Sequence, residues 1–429
     1  MKPSLLIVSH VLPFPGATGQ EQRVLQMVRA LSKQFRTTFL TVATEPAPVK
    51  MALEKYCDEA LVLQSAYPRD FFGKLLHKMA AGTYAAINGV KTSNYTIGRL
   101  ELSADRVMPA LEGRHFDCAL FEYWHAAQLV PALKAKGMRC ILDMHNVLWR
   151  ARQAEFEGGV ATRWVTRVQV DRYRQYEEHT WRQFDGVIAI SAAERDYVTS
   201  RVTARTEVFY APMGVDSTAW PYEWQPVTPP RVVYYGALGN AHNQEGVLRC
   251  ARQILPQVWR EIPNAEFWIV GSNPPPDIQN LQVDKRIRIT GFVERPQAEL
   301  PAMSVALCPF RGRFGFRSRL VELMLMGIPV VANSDAVYGM RLTEQEALLT
   351  GESDEELAAH VMKLLREPAF AKQLSLRARQ VVEQDYSMAA TYGDLGHRLS
   401  AWASPPRTRG AKSEILSPPT VQKNAAAYK

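Results

Sequence analysis

The sequence predicts an α/β protein of two doubly wound domains, each a parallel sheet covered by helices on both faces, facing each other across a cleft. Three observations carry this expectation. Short apolar runs alternate with helix-period segments, the pattern of strands buried on both faces and joined by right-handed crossovers. The alternation pauses once, at residues 217–230 (STAWPYEWQPVTPP), a proline-rich stretch without periodicity, and then restarts. The chain, at 429 residues, also exceeds what one ordinary core organises, since a domain typically holds about 100–200 residues.

In the first half, residues 5–9 (LLIVS) read as a buried strand rather than a signal peptide, because one charge and a very short apolar run precede a Gly/Pro loop at 13–19. A helix is expected over 21–34, where Val24, Met27, Val28 and Leu31 recur at helical spacing. Further strands are expected at 38–42, 60–63, 118–121, 140–143 and 186–190. The second series begins with a strand at 231–235 and a helix at 246–261. Strands at 266–270, 287–290 and 305–309, a helix at 318–326 and a strand at 329–332 follow. A last helix is expected from residue 386, and the segment after it, basic and poor in large apolar residues, reads as a disordered tail. The division is then 1–216, a linker at 217–230, 231–385, a C-terminal helix at 386–404 and a tail at 405–429. Doubly wound sheets bind ligands beyond the carboxyl ends of their strands, so the site belongs in the cleft.

With 47% hydrophobic and 22% charged residues the chain belongs among folded proteins, and its net charge is +8. A basic balance suits nucleic acid, an anionic membrane surface or acidic ligands such as nucleoside diphosphates. No RNA-binding aromatic signature or zinc spacing accompanies it, so nucleic acid is not expected. The five cysteines are scattered and form no C-x-x-C pair, which reads as reduced core thiols of a cytoplasmic protein. No run reaches the ~18–20 apolar residues that span a bilayer. No D-x-D occurs and no His or Cys cluster has ligand spacing, so no metal or other cofactor is expected.

Residues 310–332 (FRGRFGFRSRLVELMLMGIPVVA) are the most informative stretch. A glycine-bearing loop with four arginines leads into a helix, Glu322 lies one turn inside it, and Gly327-Ile328-Pro329 leads to a strand. Free amides at the helix start beside Gly315, with Arg311, Arg313, Arg317 and Arg319, suit a diphosphate. A carboxylate such as Glu322 can accept hydrogen bonds from two ribose hydroxyls. A solvated basic loop beside a core helix is the plainer alternative.

This stretch resembles the donor-site motif of the retaining GT-B glycosyltransferases of the large family-four (group 1) type, roughly G-x-x-x-K-x-x-E-A-M-A-x-G-x-P-V-V-A. Other segments agree with that family in the same order: PGATGQEQR (15–23), DMHNVLW (143–149), DGVIAISA (185–192), MGVD (213–216) and residues 233–243. The resemblance covers about residues 5–400 and implies two Rossmann-like domains, the first on the acceptor side and the second binding the nucleotide, with the last helix crossing back to the first. It implies transfer of a sugar from a nucleoside diphosphate sugar, as substrate, to a hydroxyl of a glycan or lipid-linked glycan. By position, Glu322 matches the ribose-binding glutamate, and Gly315, Phe316 and Arg317 match the loop that meets sugar and phosphate. His145 matches the histidine near the donor sugar, Gly16 and Gly19 the loop closing over it, and Gly236 and Asn243 belong to the loop after the first strand of the second domain. A structural histidine capping the next helix is the alternative reading of His145.

Two positions depart from the family pattern. Phe314 stands where many members carry a second glutamate that bonds the sugar, and Ala237 and Asn243 stand where many carry an arginine and a lysine. Arg317 and Arg319 are expected to compensate by supplying charge from the opposite side. A sugar-nucleotide epimerase on the same fold and a non-catalytic binding or scaffold subunit are the competing readings. Residues 67–99 add Arg69, Lys74, Lys78, Lys91 and Arg99 against Asp70 alone, interleaved with Phe71, Phe72, Leu75, Leu76 and Met79. This composition suits either peripheral contact with an anionic membrane or ordinary amphipathic packing with snorkelling lysines. The stretch from Arg150 to Arg182, which includes Trp164 and Trp181, is a second candidate for such contact.

Overall fold

The computed structural model of the chain describes residues 2–15, 18–157, 163–313, 315–342 and 346–403. The expected tail at 405–429 lies outside the described residues. Strand β1 (Ser4–Ser9) is buried along its whole length, with Leu5 and Ile7 on one face of the sheet and Leu6 and Val8 on the other. That two-sided burial is why the run is apolar at every interior position.

Strands β2 (Arg36–Ala43), β3 (Glu59–Gln64), β4 (Cys118–Glu122), β5 (Arg139–Asp143), β6 (Gly186–Ala189) and β7 (Glu207–Tyr210) complete a seven-stranded sheet ordered β3-β2-β1-β4-β5-β6-β7. The second sheet contains β8 (Arg231–Tyr235), β9 (Glu266–Val270), β10 (Ile287–Gly291), β11 (Val305–Cys308), β12 (Val330–Ala332) and β13 (Leu349–Thr350), ordered β10-β9-β8-β11-β12-β13. Neighbours within both sheets pair in parallel. The order reverses beside β1 and beside β8, so each domain has its topological switch point between its first strand and the fourth in sequence.

Four details differ from the expectation. Strand β7 is a short edge strand with only Phe209 buried, and β13 has two residues, so neither produces a readable period. The helix expected from residue 246 begins at Ala241, because the Asn240 side chain accepts from the His242 amide at 2.9 Å and caps it. It continues through a π-turn, Cys250–Ile254, to Glu261. The final helix is not continuous from residue 386. Tyr386 to Met388 instead pair with Val215, whose amide donates to the Tyr386 carbonyl at 2.8 Å while the Met388 amide donates to Val215 at 3.2 Å.

The chain therefore crosses between domains twice, and the two crossings are stitched together. Gly214 allows this closeness, since a Cβ there would lie 2.2 Å from Thr391 Oγ1. Beyond the stitch, the helix Asp394–Ala403 returns to the first domain. Its Leu395, Leu399 and Ala403, with Tyr392 just before it, pack against Leu5, Ile7, Phe39 and Val28. No helix among the described residues is long and apolar enough to cross a membrane.

Candidate functional site

The switch point of the second domain, between β8 and β11, opens onto the cleft. A cavity of about 300 Å³ is walled by Thr18 and Gly19 from the first domain, by the ends of β8 and β11, and by the start of the helix Ser318–Met326 from the second. Three helices begin at its wall: Gly19–Leu31, Ala241–Arg249 and Ser318–Met326. Their partial positive ends converge on one space, which favours an anion there. The Ser318–Met326 helix has no side-chain cap at its start, whereas Thr18 and Glu21 form a capping box on the first.

Arg317 and Arg319 bring formal charge to the same wall. The Arg317 guanidinium lies 3.5 Å from the Phe310 ring centroid and donates to the Gly312 carbonyl at 3.3 Å. Arg319 donates from Nη1 to the Tyr235 hydroxyl at 2.9 Å and to Glu322 Oε2 at 2.6 Å. Glu322 is buried behind it, and burial raises its pKa while Arg319 opposes the rise. In this arrangement Arg319 is held by Glu322 rather than turned wholly to the cavity. The carboxylate and the cation are prepositioned next to each other where the sequence expected two separate functions.

Gly236 and Asn243 line the cavity as well. Asn243 accepts from the Tyr234 hydroxyl at 3.1 Å and donates to the Ala237 carbonyl at 2.9 Å, so it holds the loop after β8 in shape. That loop runs so close to β9 that a Cβ on Gly271 would lie 1.8 Å from the Gly236 carbonyl oxygen. Phe316 and Gly19 also reach the wall. Gly16 and Phe314 lie outside the described residues.

Gly315 and His145 sit to one side, near the seam between domains. Gly315 adopts φ of 66°, and its amide donates to Glu194 Oε1 of the first domain at 3.1 Å. Glu194 also accepts from the Val147 amide at 3.2 Å; burial raises its pKa, and the two amides oppose the rise. His145, with φ of 52°, is buried, shares a 2.6 Å hydrogen bond through Nε2 with Glu122 Oε2 and stacks on Tyr123 at 4.2 Å. Burial pushes its pKa down to about 4, so the ring is neutral near neutral pH. It does not cap the next helix: Glu177 accepts from the Leu148 and Trp149 amides there.

Spacing in the sequence showed no ligand cluster, yet the fold gathers Glu122, Asp143 and His145 with one ligand atom each inside 4.8 Å. Arg23 explains the gathering without a cation. Its Nε and Nη2 donate to the two Asp143 oxygens at 2.8 and 2.6 Å, both residues being fully buried. A cation among these groups would face that guanidinium. The residues that sequence reasoning passed over are Arg23, Glu122, Glu194 and Tyr235. Glu122 left a signal, a carboxylate ending the apolar run CALFE. Glu194 left a misleading one, because its place three residues after Ser191 reads as a local cap.

Residues 229–367 match the family model described as glycosyl transferases group 1. No curated protein matches the chain significantly in sequence. Among solved structures the chain is similar to sucrose-phosphate synthase from Thermosynechococcus elongatus, with 19% identity and a TM-score of 0.65 over 94% of this chain and 100% of that one. It is also similar to Anabaena HepE in complex with UDP and glucose, at 14% identity and a TM-score of 0.57 over 93% and 100% of the two chains. A third similar structure is TarM, whose S. aureus form is among the neighbours, at 12% identity and a TM-score of 0.63 over 93% and 99%. The architecture is thus the GT-B fold of two Rossmann-like domains, and the second of them carries the sequence signature of the group 1 glycosyl transferases.

Proposed function

We propose that the protein is a glycosyltransferase that moves a sugar from a nucleoside diphosphate sugar to a hydroxyl of a glycan or lipid-linked glycan, with retention of anomeric configuration and without a metal ion. The observation that carries this reading is the convergence of three helix N-termini, Arg317 and Arg319 on one cavity, within the stretch that matches the group 1 family. Similar structures solved with UDP and UDP-glucose support a nucleotide-sugar donor.

In this reading Glu322 accepts from the ribose hydroxyls, and Arg319, now pinned to it, swings part of its donor set toward the diphosphate. Arg317 and the uncapped start of the Ser318–Met326 helix stabilise the charge that grows on the departing phosphate. The phosphate itself takes the acceptor proton, so no protein nucleophile is required. Gly19 and Thr18 cover the donor from the opposite domain. The neutral imidazole of His145, held by Glu122, orients the transferring sugar from the seam. Closure of the domains excludes water and limits hydrolysis of the donor.

The test is a thermal-shift screen of the full chain against UDP, GDP, dTDP, ADP and their sugars, repeated with Glu322→Gln, Arg317→Ala and Arg319→Ala. One nucleotide should raise the melting temperature, a ligand at a hundred times its Kd adding about 2.7 kcal/mol. Glu322→Gln should lose most of that shift, and each arginine variant should weaken binding about tenfold or more, the scale of a lost charge-assisted hydrogen bond. A folded wild type that responds to none of the nucleotides would transfer the weight to the scaffold reading. Turnover of donor without any acceptor would favour the epimerase.

A further inference from the structure

The helix Phe71–Asn88 presents to solvent what a helix in a folded domain ordinarily turns inward. Phe71 is 83% exposed, Phe72 66% and Met79 62%, with Leu75, Leu76 and Ile87 exposed beside them, while Ala81 alone among its residues is buried. Six of the twelve large apolar side chains exposed among the described residues lie on this one helix. At about 100° per residue, these six fall within one arc of about 160°. Such a stripe is an interaction surface rather than scattered surface hydrophobicity.

The opposite face is anchored, so the outward stripe is a fixed feature of the first domain. Tyr84 and Tyr176 share a 2.5 Å hydrogen bond between their hydroxyls, and His77 Nε2 pairs with Thr96 Oγ1 at 3.0 Å. At the helix end Gly89, with φ of 71°, lets the chain lie against the backbone of Gln169 and Tyr173. Charge identifies the occupant. Lys74 and Lys78 border the apolar arc, and Arg69, Lys91 and Arg99 are exposed nearby. The one acid of the segment, Asp70, accepts from the Gly73 amide at 2.7 Å and caps the helix. Two copies of this face packed together would set lysine against lysine, whereas an anionic interface matches both the stripe and its border.

We propose that this face docks on an anionic phospholipid surface, the apolar side chains entering the headgroup region and the bordering lysines pairing with lipid phosphates. The inference goes beyond glycosyl transfer and does not rest on it. The packing alternative raised by the sequence does not account for Phe71, Phe72, Met79 and Ile87, each more than 60% exposed.

The test is flotation of the full chain with phosphatidylcholine vesicles prepared with and without phosphatidylglycerol. The wild type should float with the anionic vesicles and remain behind with the neutral ones. Phe71→Ser combined with Phe72→Ser and Leu76→Ser should weaken that binding at least about tenfold, since each buried apolar side chain contributes to interfacial affinity. The melting temperature should be unchanged, because the replaced side chains are exposed. Lys74→Glu combined with Lys78→Glu, which leaves the apolar face intact, should abolish the preference for phosphatidylglycerol. Failure of the wild type to float, equal flotation with neutral vesicles, or undiminished flotation of the serine variant would each overturn the proposal. So would a concentration-dependent dimer, seen by sedimentation and lost in the serine variant, in a protein that ignores vesicles. Nucleotide binding is read separately and does not enter any of these outcomes.

Discussion

Arg23 and Asp143 meet with neither side chain exposed to solvent, and Glu122 and His145 complete the cluster beneath the cleft. Burial and the Asp143 charge raise the Glu122 pKa, while Arg23 opposes that rise and pairs with Asp143. Removing the cation leaves a buried carboxylate uncompensated. Arg23→Leu should therefore cost about 3–5 kcal/mol in urea unfolding, the range for breaking a buried pair from one side. Arg23→Leu with Asp143→Asn should recover part of that loss. The imidazoles make a second prediction. Burial lowers both His10 and His145 from 6.5 to about 4, so the folded protein keeps them neutral while the unfolded chain protonates near 6.5. At these two sites the unfolded state then binds more protons as the pH drops, so their contribution to stability falls with a slope between about pH 6.5 and about pH 4, opposed by carboxyls such as Glu194 whose pKa burial raises. His10→Asn should flatten that slope in denaturation series, and an unchanged slope would refute the assignment. Little of this was legible beforehand: DMHN reveals Asp143 and His145 as neighbours in the chain, but Glu122 reaches His145 from 23 residues away and Arg23 reaches Asp143 from 120.

Among the elements, β8 and β9 set the mouth of the cavity through a contact that only glycine permits. A methyl on Gly271 would collide with the Gly236 carbonyl, and that carbonyl belongs to the loop that leads into the helix Ala241–Arg249, which carries Asn243. Gly271→Ala should cost about 1–3 kcal/mol of stability, as overpacking does, and should weaken nucleotide binding as well. Calorimetric melting with and without nucleotide separates the two effects, and a variant that melts and binds like the wild type would show that the loop yields freely. The elements that build this site were also the most legible part of the fold. The helix Ser318–Met326 could be read from its own residues because its boundary is chemical: Gly327 ends it in the left-handed conformation and all residues from Leu320 to Met326 are buried. The start at Ala241 was harder, since its first turn, AHNQ, is polar and only Asn240 marks it. Edge strands such as β7, four residues long with only one of them buried, are too short for a period to stand out.

On the scale of the whole molecule, Glu194 ties the two domains together by accepting from Val147 on its own side and Gly315 across the cleft. Glu194→Ala leaves both amides without that acceptor, each loss worth about 1–3 kcal/mol if the group stays buried. The domains should relieve the cost by opening, which small-angle scattering would record as a larger radius of gyration. Identical scattering from variant and wild type would mean that the seam is held elsewhere. Two facing domains were foreseeable from the restart after residue 230, but the seam was not, because a contact between halves has no local pattern. The returning helix at Asp394–Ala403 sets a schedule for biosynthesis. Leu395, Leu399 and Ala403 belong to the same hydrophobic cluster as Leu5 and Ile7, so the earlier-made of the two domains cannot complete that cluster until the chain has been made through the whole of the second. During that interval the second domain can complete its own core unaided, and the older half of the molecule is the one that waits, with apolar surface open to chaperones, for the younger half to deliver its cover.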